Sequence, residues 1–382
     1  MHRLLCPCRP LVPFLVACLA LPVALPPAAA ADPTAIRASI AKGATYLVEQ
    51  AQAADGSFAA DLGQPSPAIT ALAVLALAKA DRPEDEAAIE KGIKFILSFR
   101  QPDGGIHGKE SPVSNYETAL SMLVLAARNK DGRFDKEIKD AQGYIRELQW
   151  DDGEGKGRTD PAFGGAGYGR KGRPDLSNTQ FMIEALKSVG ASDTDPAIQK
   201  ALVFVSRTQN LVGPDNDQPF PAKATGDDQK GGFYYTPAAD GESQAGKTPE
   251  GGLRSYGSMT YAGLKSMIYA GLKKDDPRVK AAVKWLGKHY TFKENPGMGQ
   301  SGLFYYLHTA AKSLAVLGED TFTDAAGKVH DWRSELSDVV IGKQRPDGSW
   351  INEDRRWMED NPKLVTSYAL LALVYCLPPQ SK

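Results

Sequence analysis

The chain has 382 residues, with 45 Lys and Arg against 46 Asp and Glu, a formal net charge of −1, and 42% hydrophobic residues. Near-neutral charge without an extended basic block argues against nucleic acid or an acidic membrane surface as a partner. The chain is long enough for one large domain with a substantial core.

At the N-terminus Arg3 and Arg9 supply positive charge, and an apolar run from Leu11 to Leu25 ends in Ala28 to Ala31. This reads as a signal for export over residues 1–31, leaving a single domain over 32–382 outside the cytoplasm, in the periplasm, at the cell surface or beyond. Pro13, Pro22, Pro26 and Pro27 break the run below the roughly 20 unbroken apolar residues of a spanning helix. Leu15-Val16-Ala17-Cys18 also resembles a bacterial lipobox, but the residues after Cys18 are apolar rather than a polar tether, so cleavage near Ala31 is the preferred reading. Cys6, Cys8 and Cys18 fall within the signal, which leaves Cys376 alone, with no internal disulfide and the look of a small buried hydrophobe.

Beyond the signal, similar segments recur about every 50 to 80 residues, a repeat architecture. Each unit opens with an amphipathic helix, as in Asp195 to Gln209, where Ile198, Leu202 and Val205 share one face. Asp195-Pro196 and Asp276-Pro277 are N-caps followed by proline at the first helical position. A glycine turn follows, as in Gln52 to Phe58, Arg100 to Gly105, Gln149 to Gly153 and Gln344 to Trp350. The unit closes with a helix apolar on nearly every face, which must be buried on all sides.

Outer helices are predicted near 34–51, 85–100, 135–149, 195–209, 276–290 and 331–343. Inner helices are predicted near 67–80, 115–128, 177–189, 256–272, 305–318 and 363–377. The expected fold is all-α, an (α/α)6 toroid in which amphipathic hairpin arms surround a ring of apolar ones. An open solenoid would leave the apolar stretch Val365 to Leu377 uncovered. Two long connections, 151–175 and 210–255, interrupt the pattern, and the aromatics Phe233-Tyr234-Tyr235 predict that part of the second folds over one end of the ring.

The turn Gln344 to Trp350, with its degenerate copies, resembles the QW motif of the squalene-hopene and oxidosqualene cyclases. The Thr-Ala and Thr-x-x-hydrophobic openings of the inner helices are similar to the prenyltransferase and squalene oxidase repeat. The resemblance spans essentially the whole chain after the signal. It implies the toroid and an isoprenoid-like or other apolar ligand. Cyclases of this superfamily protonate a polyene with an Asp-x-Asp-Asp-Thr-Ala motif, whose counterpart here is Ser114-Asn115-Tyr116-Glu117-Thr118-Ala119, with one acid in place of three. Asp175-Leu176-Ser177-Asn178-Thr179-Gln180 keeps only its first acid. Protonating an alkene needs a strong acid held by its neighbours, so neither stretch is an intact cyclase motif. Ser114 with Glu117, and Ser177 with Gln180, equally match capping boxes.

Prenyltransferase beta subunits hold zinc through Asp, Cys and His. Tyr305 to Thr309 is similar to their histidine-bearing tract, but Tyr256-Gly257-Ser258 stands where the other ligands would fall, so no metal and no cofactor are expected. His308 then reads as a hydrogen-bonded pore residue. The thioester domains that share the toroid need a Gly-Cys-Gly-Glu-Gln run, which is absent.

Three function classes follow. One is an isoprenoid-active enzyme, with Glu117, Asp175 and His308 as catalytic candidates. A ligand surface would be drawn from Tyr116, Asn178, Tyr234, Tyr235, Tyr256, Tyr261, Tyr305, Tyr306 and Tyr368, since aromatic faces hold apolar chains and cations. A second is a non-catalytic module, expected to be monomeric, that holds a lipid or a protein partner. The third is a glycan-active toroid using paired carboxylates, with Asp151 and Asp152 or Asp227 and Asp228 as the acids.

Overall fold

A computed structural model describes residues 32–58 and 66–378. Cys18 and the cleavage site expected near Ala31 lie outside the described residues.

Outer and inner helices alternate along the chain. The first pairs are α1 (Pro33–Tyr46, prolonged by a π turn, Leu47–Ala51) with α2 (Pro67–Ala80), and α3 (Glu86–Leu97) with α4 (Ser114–Arg128). Next come α5 (Asp135–Glu147) with α6 (Leu176–Ser188), and α7 (Pro196–Arg207) with the inner helix reached after a four-residue α8 (Phe220–Lys223), namely α9 (Gly257–Tyr269). The last are α10 (Pro277–Lys288) with α11 (Leu303–Leu317), and α12 (Trp332–Gly342) with α13 (Pro362–Cys376). Each inner helix packs on the next, α2 on α4, α6, α9, α11 and α13 in turn, and α13 packs back on α2, so the inner ring is closed. Among the described residues the only strands are β1 (Phe322–Thr323) and β2 (Val329–His330), a two-residue hairpin.

The repeat has a hydrogen-bonding logic. In three of the turns after an outer helix a glutamine amide donates both within its own turn and to the following outer helix. Gln52 reaches the Ala88 carbonyl at 2.9 Å, Gln149 reaches Ala197 at 2.9 Å and Gln209 reaches Arg278 at 2.9 Å. The turn glycine lies flat on that same helix: at Gly164 (φ 82°) a Cβ would come within 1.9 Å of the Lys200 carbonyl oxygen, and at Gly348 (φ 89°) within 2.5 Å of that of Lys42. The threonine that opens the inner helix then accepts from the turn. Phe58 N–H donates to Thr70 Oγ1 at 3.0 Å, Ile106 to Thr118 at 3.1 Å, Ala166 to Thr179 at 3.0 Å, Phe233 to Thr260 at 3.1 Å and Trp350 to Thr366 at 3.1 Å. A backbone donor that would be orphaned beneath the rings is thereby satisfied, a contribution of about 1 kcal/mol per bond.

The predicted capping boxes do not form. Asp175, not Ser177, is the N-cap of α6, and Gln180 turns away to donate to the Tyr305 hydroxyl at 3.2 Å. Ser114 lies inside α4, and Glu117 accepts instead from Ser66 Oγ at 2.7 Å and Gly108 N–H at 3.1 Å, tying the loops before two inner helices together. Of the 210–255 connection, Phe233 and Tyr234 are fully buried and Tyr235 is half-buried against the core. Cys376 is buried in α13, and burial pushes its thiol well above the usual range.

Candidate functional site

The inner helices run in one direction, because each is entered from a turn at the same end of the toroid. Their first turns surround a cavity of about 470 Å³. This lies within the ~300–1,000 Å³ range of small-molecule sites. Six tyrosines line it: Tyr116, Tyr168, Tyr235, Tyr256, Tyr305 and Tyr368. Tyr305 and Tyr368 meet edge to face at 5.9 Å, and the Tyr116 hydroxyl lies 3.4 Å from that of Tyr368 across the ring. Between the phenols the wall is aliphatic, with Ile69 and Leu72 of α2 and Met259 of α9.

Six helix N-termini facing one space would attract anions if left open. Several are already occupied by side chains. Ser66 caps α2, Asp175 caps α6 and Asn361 caps α13. Asn295 accepts from Ser258 N–H of α9 at 3.0 Å. Glu359 accepts from Phe304 N–H at 3.2 Å and Tyr305 N–H at 2.8 Å of α11. Glu359 is the one acidic group among the described residues that line the cavity, which include no lysine, arginine or histidine. Burial pushes its carboxyl above the usual range, against these two backbone donors and Asn352.

A buried charged layer lies further along the inner helices. On α6, Glu184 lies six residues past Asn178, a rise of about 9 Å at 1.5 Å per residue. Its carboxylate meets Lys265 of α9 at 2.6 Å and is also paired with Lys312 of α11, all three being buried. Burial alone would push the Glu184 carboxyl up; the two ammonium groups outweigh it and hold it well below its ordinary range. Burial brings Lys265 down to about 8. His308, one turn above Lys312, stacks on Tyr368 at 5.7 Å. Burial, then Lys312 and Lys265, push its imidazole down to about 3, so it is neutral at ordinary pH.

The structure sorts the sequence candidates. Tyr116, Asn178, Tyr235, Tyr256, Tyr305 and Tyr368 line the cavity. Tyr234 does not: its hydroxyl donates to the Arg207 carbonyl on the outer side of the ring. Tyr306 is next to Tyr305 on α11, a turn of about 100° away, and donates to the Thr291 carbonyl at 2.5 Å. Tyr261 packs on Tyr306 at 5.8 Å. Neither Glu117 nor Asp175 lines the cavity. Asp175 is buried and saturated, accepting from Ser177 Oγ at 2.6 Å, Asn178 N–H at 2.9 Å and Asn178 Nδ2 at 2.8 Å. Burial is the largest influence on it and raises its carboxyl. Of the three acid positions of the cyclase-like stretch, only Tyr116 lines the cavity, and burial pushes that phenol up, further from an acid. His308 lies beneath the lining rather than in it, and its Nδ1 has no hydrogen-bond partner among the described residues. Asp151 pairs with Lys200 at 2.6 Å, and Asp151, Asp152, Asp227 and Asp228 all lie outside the cavity wall.

Sequence reasoning missed Glu359 and its neighbours Trp357 and Met358. Both neighbours are 44% exposed at the mouth, and both take positive φ, 56° and 63°. The Trp357 indole lies over Gly302 so closely that a Cβ there would come within 3.0 Å of it. Among the described residues no group of three or more His, Cys, Asp or Glu is placed to hold a metal ion, and no helix is long and apolar enough to cross a membrane.

The sequence profile of the squalene-hopene cyclase C-terminal domain matches residues 38–228, half of the chain. The chain belongs to that family, within the terpenoid cyclase toroid superfamily. No curated protein matches it in sequence. Among solved structures it is similar to the apo type II terpene cyclase MstE from Scytonema, at 14% identity and a TM-score of 0.53, covering 89% of this chain and 98% of that one. A variant of the same enzyme in complex with its substrate, geranylgeranyl dihydroxybenzoate, aligns at 12% identity and a TM-score of 0.52, covering 90% and 98%. A protein from Actinoplanes aligns at 12% identity and a TM-score of 0.50, covering 89% and 99%. At these identities the likeness is one of fold.

Proposed function

We propose that this terpenoid-cyclase-like protein is exported and holds an isoprenoid-like or other elongated apolar ligand inside its inner ring, without the acid motif of a cyclase. The observation that carries the reading is the cavity among the first turns of the inner helices, walled by six tyrosines and aliphatic side chains. Phenol at position 116, where a polyene cyclase of this superfamily places acid, favours holding over protonation. The substrate-bound terpene cyclase of the same fold lends further support. An open polar groove with paired carboxylates, the mark of a glycan enzyme, is not what surrounds this axis.

One observation favours a second reading, acid catalysis on a polyene: the buried carboxyl of Glu359 on the cavity wall, with its proton affinity raised. In that case Glu359, and neither Glu117, Asp175 nor the neutral His308, is the donor.

Protein purified from its own host and extracted for mass spectrometry tests the main reading. A near-stoichiometric isoprenoid or comparable apolar molecule is expected. An extract without one, from protein that also fails to take up added polyprenyl compounds, would refute it. Intact mass of the same sample tests export: a chain beginning near Asp32 is expected, and a diacylglyceryl group on Cys18 would identify the other signal class.

A further inference from the structure

The cavity mouth is apolar, formed by Trp357, Met358 and the ring of Tyr168. Asn178, 1% exposed, is part of the cavity lining; its Nδ2 donates to Asp175 and its Oδ1 has no partner among the described residues. In this orientation the Asn178 amide nitrogen meets a carboxyl oxygen of Asp175 as donor to acceptor. Two further unpartnered buried atoms sit behind the lining tyrosines: Gln180 Oε1, on the side chain that donates to Tyr305, and His308 Nδ1, on the ring stacked against Tyr368. With a neutral imidazole, all three are able to accept a hydrogen bond. An unsatisfied buried acceptor is costly, so such a group in a binding cavity is a site for a ligand's donor.

The charges point the same way. The lining includes Glu359 and no cation among the described residues, Lys265 and Lys312 are engaged by Glu184, and the guanidinium of Arg173 is paired with Glu242 above Tyr235. A diphosphate or carboxylate head placed inside would meet a carboxyl and neutral hydroxyl and amide groups, with no lining cation among the described residues to balance its charge.

Resting on the cavity reading above, we propose that the ligand is a neutral isoprenoid alcohol bound hydroxyl-first, its O–H donating to Asn178 Oδ1 and its hydrocarbon chain running toward the Trp357 mouth. Selectivity then comes from an acceptor that only a donor-bearing head satisfies.

The test is equilibrium binding of four probes to the full chain: geranylgeraniol, its methyl ether, the parent hydrocarbon and geranylgeranyl diphosphate. The alcohol is expected to bind at least about tenfold more tightly than the ether or the hydrocarbon, a difference of about 1.4 kcal/mol. The diphosphate is expected to bind most weakly. The ether keeps the size and the oxygen but has no proton to donate, so this arm needs no variant. In Asn178→Leu the alcohol is expected to lose its advantage over the ether and the hydrocarbon. Equal binding of alcohol and ether, an advantage that survives in a folded Asn178→Leu, or tightest binding of the diphosphate overturns the alcohol assignment and leaves the cavity reading standing. Binding of none of the four overturns both.

Discussion

Gln344, at the end of the last outer helix, donates to the carbonyl of Ser39 in the first at 3.0 Å, although 305 residues separate them in sequence. The same amide donates to Gly348 at 2.9 Å, and its oxygen accepts from Ser39 Oγ at 2.8 Å. The clasp that Gln52, Gln149 and Gln209 make to the following outer helix here joins the last outer helix to the first, and so closes the toroid. Gln344→Ala leaves two carbonyls without their donor and is expected to cost about 2–3 kcal/mol, at the upper end for an unsatisfied buried group. Urea denaturation measures it; a loss no larger than that of an exposed Gln→Ala control would mean that the clasp contributes nothing.

The Glu184 layer predicts an acid dependence. A carboxyl held below its ordinary value of 4.5 in the folded state contributes stability that is present above that value and is lost as pH falls through the acid range. Glu184→Gln leaves Lys265 and Lys312 buried without a counter-charge and is expected to cost about 3–5 kcal/mol at neutral pH. The variant should also show a shallower loss of stability between about pH 5 and pH 3 than the wild type. Denaturation curves at a series of pH values decide it, and parallel slopes would show that Glu184 is not the group responsible.

Glu117 and Glu359 separate structure from chemistry. Glu117 braces two loops through Ser66 and Gly108 and lines no cavity. Glu117→Gln is therefore expected to lose about 1–3 kcal/mol of stability and to bind ligand as the wild type does. If a polyene is turned over, Glu359→Gln should abolish turnover and Glu117→Gln should leave it intact. Loss of turnover in a folded Glu117→Gln would return the acid to the cyclase-like stretch.

Much of the fold is legible in the sequence, because the period of apolar residues alternates between one-sided and all-round helices at the observed bounds. The repeat's Gln, Gly and Thr are visible too, but their partners lie on the next repeat, and only the folded ring shows what they bond. The site is less legible for a related reason. An inner helix apolar on every face, such as α11, does not reveal which of Tyr305 and Tyr306 looks inward. Glu184, Lys265 and Lys312 read singly as solvated charges, since their partners are 81 and 128 residues away. Trp357, Met358 and Glu359 sit in an irregular segment with left-handed backbone at non-glycine residues, where no period applies.

If the space within the inner ring is the binding site, filling it blocks the ligand. Ile69, on the aliphatic wall of α2, projects into it without a hydrogen-bonding role. Ile69→Trp should fill the cavity and leave the Gln344 clasp and the Glu184 layer untouched. The direct measurement is calorimetric titration of geranylgeraniol into wild-type and Ile69→Trp protein of matched thermal stability. One site per chain in the wild type, weakened at least about tenfold (1.4 kcal/mol) in the variant, is the predicted result. Equal affinity in the two proteins would place the ligand elsewhere and contradict the account.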